Sequence, residues 1–292
     1  MAKNNRRVGD RKEGRKLRSL EPMNVVSAYI MPDRVGSSNM FRDTLDITTV
    51  EKYIHKKRTE GLKGFGMLHL IVSAYVRTVS QRPGINRFIA GQKVYARNDI
   101  VMALTIKKGI RLNSDETVIK ARFEPTDTAE EVYNKLSKII EENFAEGDNS
   151  AFDSAARVLK HIPGVVLKFV VWLLKLLDYF DLLPKFLLEL SPFHGSMFIT
   201  SMGSLGIPPI FHHLYDFGNL PIFMAYGAKY SKYELNEKGE MVKKKYIDFS
   251  VNTDERICDG HYFASAFKYL KEILSNPDVL DVPPESVVED IE

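Results

Sequence analysis

The sequence predicts an α/β fold, a large mixed sheet flanked by helices. Three observations predict it. Strand-like runs and amphipathic helical windows are interleaved along most of the chain. The second half is richer in strands than the first. An apolar share of 44% over 292 residues is enough to bury a full core. The net charge of +3 creates no global field, so a nucleic-acid partner is not expected. The single cysteine, Cys258, excludes a disulfide scaffold and a cysteine-based zinc site. It points to a reducing compartment, the cytoplasm. The opening "MAKNNRRVGDRKEGRKLRS" has no apolar stretch of the kind a secretory signal needs.

The elements follow in order. "VVSAYIM" (25–31) reads as a strand, and "NMFRDTLDI" (39–47) alternates as a second one. "TTVEKYIHKKRTEG" reads as a helix capped by Thr48, with Glu51 at capping-box spacing and Gly61 as its stop. "GMLHLIVSAYVRTVSQ" is a strongly apolar helix with Leu68, Ile71, Val72, Tyr75 and Val79 on one face. "IAGQKVYA" and "DIVMALTIKKGI" are strands, the second apolar enough for a sheet interior. Thr128 and Glu131 form another capping-box pair, and Val132, Leu136, Ile139 and Ile140 make the buried stripe of the helix that follows. "GSMFITSMGSLGI", "PIFMAYGAKY" and "KKKYIDFSVNTDE" are strands, with "NEKGEM" a hairpin turn between the last two. "GHYFASAFKYLKEILSN" closes the domain as a helix with Phe263, Phe267, Leu270 and Leu274 on one side.

The domain is expected over residues 23–276, between a basic flexible tail at 1–22 and a loose acidic tail at 277–292. The basic tail carries Lys3, Arg6, Arg7, Arg11, Lys12, Arg15, Lys16 and Arg18. Such a tail is either a solvated end or an arm for an anionic lipid surface or a neighbouring subunit. An apolar helical insertion occupies about 152–190. Its greasiest part, "IPGVVLKFVVWLLKLLDYFDLLPKFLLEL" (162–190), is interrupted by Lys168, Lys175, Asp178 and Asp181 and broken at Pro184, so it is not expected to span a membrane. On a helix, Lys168, Lys175 and Asp178 share one narrow stripe, and the rest of the circumference is apolar. Three covers are open: the same domain or a subunit partner, a membrane surface, or an acyl chain beneath a lid.

Several segments together resemble a known family. "LDITTV", "GMLHLIVSAYVRTVSQRPGINRFI", "GSMFITSMGSLGI", "NLPIFMAYGAKY" and "TDERICDGHYFASAFKYL" stand in the order found in the chloramphenicol acetyltransferase superfamily. They resemble most the catalytic cores of the dihydrolipoyl acyltransferases of 2-oxoacid dehydrogenase complexes, over about residues 25–275. The resemblance implies a two-layer α/β domain that assembles as a homotrimer, with active sites at subunit interfaces. Coenzyme A thioester enters as a substrate from one side and a small-molecule acyl acceptor from the other. A histidine in the signature His-x-x-x-Asp-Gly takes the proton of the attacking group. A Ser or Thr on the Gly-turn strand donates to the oxyanion, and the signature Asp orients its loop. Carried to this chain, Asp259 and Gly260 match the signature, Thr200 matches the oxyanion donor with Ser201 beside it, and the histidine position holds Glu255. Arg34 is the expected partner of Asp259. No lipoyl or subunit-binding domain precedes the core, so a standalone role without a covalently bound lipoyl group is expected.

Glu255 decides what the site can do. A general base works best with a pKa near the operating pH. A carboxylate begins near 4.3 and needs burial to approach neutrality. Arg256, if it pointed the same way, would lower it. Three readings stand open. Glu255 is a replacement base; or His261, His212 or His213 supplies one; or the chemistry is lost and the fold persists as a binding or scaffolding module. His69 and His194 read as core, loop or interface residues. The histidines match no tight ligand spacing, so no metal site is expected. "GSLGIPP" lacks the Lys-Ser/Thr ending of a phosphate loop.

Overall fold

The computed structural model describes residues 6–107, 116–145 and 159–292. Its centre is a seven-stranded mixed sheet. Strands β2 (Ser38–Asp46), β5 (Ile100–Lys107), β6 (Glu116–Phe123), β7 (Met197–Ser201), β8 (Ile222–Tyr226) and β10 (Met241–Asp254) are ordered β2-β10-β8-β7-β5-β6. β9 (Tyr230–Leu235) pairs with the first half of β10 as a hairpin. β5, β7 and β8 run parallel, and the remaining pairs are antiparallel. A small second sheet pairs β1 (Gly14–Lys16) with β4 (Lys93–Arg97) and β4 with β3 (Arg87–Ala90).

Four helices form the other layer: α2 (Thr48–Thr59), α3 (Met67–Gln81), α4 (Ala129–Ala145) and α7 (Gly260–Ser275). They share one continuous core with the sheet, running through Val50, Leu70, Val72, Val132, Leu136, Met102, Met224 and Leu270. The α3 stripe read from the sequence is too narrow. Every residue from His69 to Ser80 is buried, because α3 lies between the sheet, α4 and α7, while Leu68 is only half-buried. The other face of the sheet carries a smaller cluster of Ala103, Phe198, Leu214, Leu220 and Phe223.

Several local expectations are corrected. Residues 25–31 do not form a strand; helix α1 (Pro22–Ile30) does, with Pro22 at its first position, where a missing N–H costs nothing. Thr48 does not cap α2. Its hydroxyl donates to Asp46 at 2.6 Å, and Glu51 is drawn to Lys229 and Lys245. The pair Thr128–Glu131 does form its reciprocal bonds, at 2.7 and 3.3 Å. β6 adds a strand to the elements read from the sequence: "ETVIKARF" carries Lys120 and Arg122 among its apolar residues and runs directly toward a strong helix start.

Both expected tails are docked. Arg11 is 4% exposed and pairs with Asp178 at 2.7 Å, and Arg18 pairs with Asp10 at 2.9 Å. At the other end Leu280 is fully buried, Val288 N–H donates to Ser80 O, and Asp290 pairs with buried Arg87. The two ends also hold each other, as Arg18 and Ser19 N–H donate to Glu292 O. Opposite charge at the two termini is the physical reason. The side chains of Arg6, Arg7, Arg11, Lys12, Arg15 and Arg18 each donate to a carboxylate or carbonyl. Lys3, the 108–110 end of the expected strand and residues 152–158 of the insertion lie outside the described residues. The rest of the insertion folds as α5 (Gly164–Tyr179) and α6 (Lys185–Leu190).

Candidate active site

The expected site residues fall into two groups at opposite ends of the sheet. Thr200 and Ser201 end β7, both half-buried. Ser201 Oγ accepts from Gly203 N–H at 3.3 Å, which ties it into the turn. Gly206 follows at φ +70°, a left-handed position that suits glycine. Thr200 makes no side-chain hydrogen bond with a described residue, so its hydroxyl is available.

Glu255 and Asp259 lie in the turn from β10 into α7, and His261 in the first turn of α7, all exposed. Glu255 N–H donates to Ser37 O at 2.9 Å, and its carboxylate has no described partner. Asp259 is the N-cap of α7. Its Oδ1 accepts from Tyr262 N–H at 2.7 Å, satisfying one of the four donors a helix start leaves open. That bond ties the loop to the first turn of the helix. The expected partner of Asp259 is wrong: Arg34 does not reach it.

Arg34 is instead drawn to Asp254. It is 6% exposed, and its Nε stands 3.8 Å from Asp254 Oδ2. Its other nitrogens donate to Tyr215 O and Ile89 O. Burial lowers its pKa to about 10 despite the Asp254 charge. Asp254, 1% exposed, also takes two bonds from Arg256, at 2.8 and 2.7 Å. The third Arg256 nitrogen reaches Met31 O at 2.8 Å. The direction of Arg256, open in the sequence, is therefore inward and away from Glu255, so its charge is spent on Asp254. Sequence reasoning missed the Arg34–Asp254–Arg256 cluster. A signal was present: an Asp side chain accepts readily from the backbone two residues on, and Asp254 Oδ1 does so from Arg256 N–H at 3.1 Å, which brings the Arg256 side chain round to the same carboxylate.

The register measures the gap between the two groups. Thr200 is level with Ala225 on β8, and Ala225 with Ser250 on β10. Glu255 lies five residues beyond Ser250. At about 3.3 Å per residue that is roughly 16 Å along the sheet, and two strands across add about 10 Å. One protomer cannot bring both side chains to one substrate atom.

The other histidines are placed as follows. His69 is buried, its Nδ1 accepts from Gly66 N–H, and burial with the nearby Arg58 charge lowers its pKa to about 4, so it is neutral core. His212 stacks on Phe223 at 4.4 Å, and burial and His213 lower its pKa. His194 is buried against Ser191 and Asp178. None of these three lies in the turn that carries Glu255. Among the described residues no group of three or more His, Cys, Asp or Glu could hold a metal. Behind the turn, on the Arg256 side, a cavity of about 480 Å³ is lined by Arg34, Asp216, Arg256, Gln92, Lys175 and Asp178. Glu255 does not line it.

Solved structures share this architecture. A probable dihydrolipoamide acetyltransferase from Listeria monocytogenes matches with a TM-score of 0.57 at 12% identity, over 90% of this chain and 95% of that one. The chain has the fold of the dihydrolipoamide acetyltransferase cores. The Azotobacter vinelandii dihydrolipoamide acetyltransferase matches with a TM-score of 0.58 at 13% identity, over 94% and 95% of the two chains. The cubic core of a pyruvate dehydrogenase complex matches at 0.55 with 13% identity, over 88% of each. No protein-family model matches the sequence, and neither does any curated protein. At these identities the likeness carries the fold and no residue role.

Proposed function

We propose that the chain is an acyltransferase of the 2-oxoacid dehydrogenase acyltransferase type. It moves an acyl group from a coenzyme A thioester to a small apolar acceptor, at sites shared between protomers of a homotrimer. The observation that carries the reading is the separation of Thr200 from Glu255 on a sheet with the acetyltransferase-core architecture. Two ends of one protomer make two half-sites, and a second copy completes each. The Glu255 carboxylate takes the proton of the acceptor hydroxyl or thiol as that group attacks the thioester carbonyl. Thr200 Oγ donates to the oxyanion, with Ser201 holding the turn. The C–S bond then breaks, and the proton passes to the departing coenzyme A thiolate. No covalently bound lipoyl group takes part. The single cysteine, free and buried, agrees with a cytoplasmic protein, and the apolar segment 162–190 with work at the periphery of a membrane.

A second reading has its own observation. Asp259 caps α7 through its Oδ1, so the Asp-Gly pair needs no catalysis to explain it, and the resemblance puts Glu255 at the histidine position of the signature. On that reading the trimer binds or organises a partner without chemistry.

Calorimetric titration with coenzyme A and acyl-coenzyme A thioesters separates the two. Saturable micromolar binding by the wild type supports acyl transfer. Absence of binding by a folded trimer leaves the scaffold reading.

A further inference from the structure

Helix α5 rests one side on its own chain, with Leu167, Val170, Leu174 and Leu177 half-buried, and leaves a second apolar face uncovered. Of its residues only Asp178 is buried among the described part of the molecule. Val165 is 84% exposed, Phe169 58% and Trp172 55%. At 100° per residue, Lys168, Lys175 and Asp178 fall within an arc of about 80°. The half-buried leucines and Val170 take the arc next to Asp178, and Trp172, Val165, Leu176, Phe169, Leu173 and Val166 spread over a further exposed arc of roughly 120° or more. A helix packed on one protein surface needs an apolar face of little more than about 100°, so the second arc asks for a second cover.

The charges say which medium. The acids of the segment are turned inward or paired. Asp178 holds Arg11 at 2.7 Å and Asp181 holds Arg6 at 3.1 Å, while Glu189 faces Arg122 and Lys185, each at 3.7 Å. Lys160, Lys168 and Lys175 make no ion pair with a described residue. The outward surface is therefore apolar and cationic. Trp172 and Tyr179 lie side by side along one edge of the lysine stripe, where amphipathic rings sit at headgroup level in a bilayer. Among the described residues no helix is long and apolar enough to cross a membrane, so α5 would lie along the surface.

We propose that α5 lies in the plane of an anionic lipid surface. Its apolar arc sinks among the acyl chains, and Lys168 and Lys175 reach the phosphate headgroups. The root of the helix is held to the body by Asp178, through Arg11 and His194, and by Tyr179 Oη donating to Gln92 at 3.2 Å. The cavity lined by Lys175 and Asp178 opens at that root, so an amphiphile leaving the bilayer meets it first. This last step rests on the acyl-transfer reading with its apolar acceptor; the lipid docking does not.

Trp172 is the sole tryptophan and reports on its own helix. The full chain is mixed with vesicles of phosphatidylcholine containing about a third phosphatidylglycerol, and with pure phosphatidylcholine vesicles. The expected result is co-flotation with the anionic vesicles, a blue shift of Trp172 emission and its quenching by brominated lipid. Replacing Lys168→Glu and Lys175→Glu together should weaken that binding roughly tenfold or more, with an unchanged thermal melt because both side chains are exposed. Absence of flotation and shift, or equal binding by the double variant, overturns the proposal. So does a Leu173→Glu variant that dissociates the oligomer while the wild type ignores vesicles, which would make a second copy the cover. The coenzyme A titration of the wild type, run without lipid, decides the acyl-transfer reading separately.

Discussion

Glu255 and its two acidic neighbours divide the work of the turn. Glu255 is the exposed carboxylate with no described partner, Asp259 caps a helix, and Asp254 binds two guanidiniums in the interior. Their substitutions should differ in kind. Asp259→Ala should cost about 1 kcal/mol, the usual loss for an N-cap. Asp254→Ala should cost about 3–5 kcal/mol, because it leaves Arg34 and Arg256 buried without their shared anion. Urea melts of the two variants check the order, and equal losses would contradict it. Glu255→Ala should leave stability unchanged. On the acyl-transfer reading it should lower turnover by about 10²–10⁴-fold, while Glu255→His keeps a base in place and retains transfer. A Glu255→Ala enzyme as fast as the wild type would remove Glu255 from the chemistry.

At the scale of elements, Lys120 on β6 fastens the end of α6 to the sheet. Its Nζ donates to Leu188 O at 2.8 Å and to Ser191 O at 2.9 Å. Burial lowers its pKa to about 7, with Arg97 and Arg122 pushing the same way and Glu13 and Glu189 opposing. An unfolded lysine titrates near 10.4. Between about pH 7 and that value the unfolded chain keeps a proton that the folded chain has lost, so this group makes stability rise with pH. Relative to Lys120→Met, the wild type should therefore gain stability as pH climbs from about 7 to about 10. Paired denaturation curves across that window read it directly, and a difference that does not move with pH would show Lys120 charged throughout. The insertion is thus attached by polar bonds at its α5 root and at its end and by the buried Leu183 and Leu188, while the outer apolar arc of α5 has no cover among the described residues.

For the whole molecule the main expectation is that the site is made by two copies. Thr200→Ala and Glu255→Ala proteins should each be nearly inactive. Co-refolded in equal amounts, they should recover activity at about a quarter of the sites, since each interface then has that chance of pairing an intact half from each. Sedimentation of the wild type as a trimer is the companion measurement. A monomer, or mixed protein as inactive as its parents, would count against shared sites.

The layer order and most elements were legible because they rest on local patterns. The strand run "KKKYIDFSVNTDE", the stripe of α4 and the Thr128–Glu131 box are written in neighbouring residues, and the structure keeps them. α1 was misread because "VVSAYIM" is rich in strand formers, while its helix depends on Pro22 and on what it packs against. The Arg34–Asp254 pair joins positions 220 residues apart, and sequence spacing could not choose between Asp254 and Asp259 as the partner. By itself, then, the sequence determined the α/β class, the positions of the long helices and of the central strands, and the presence of an Asp-Gly turn bearing a carboxylate; it ran β3 and β4 together in "IAGQKVYA" and did not part β9 from β8. Tertiary structure alone decided that the tails are docked, that Arg256 turns away from Glu255, and that Thr200 and Glu255 stand at opposite ends of one sheet. The reason is range. Periodicity and caps act within a few residues, whereas burial of a charge and the register of a sheet are settled only when distant segments compete for the same partner.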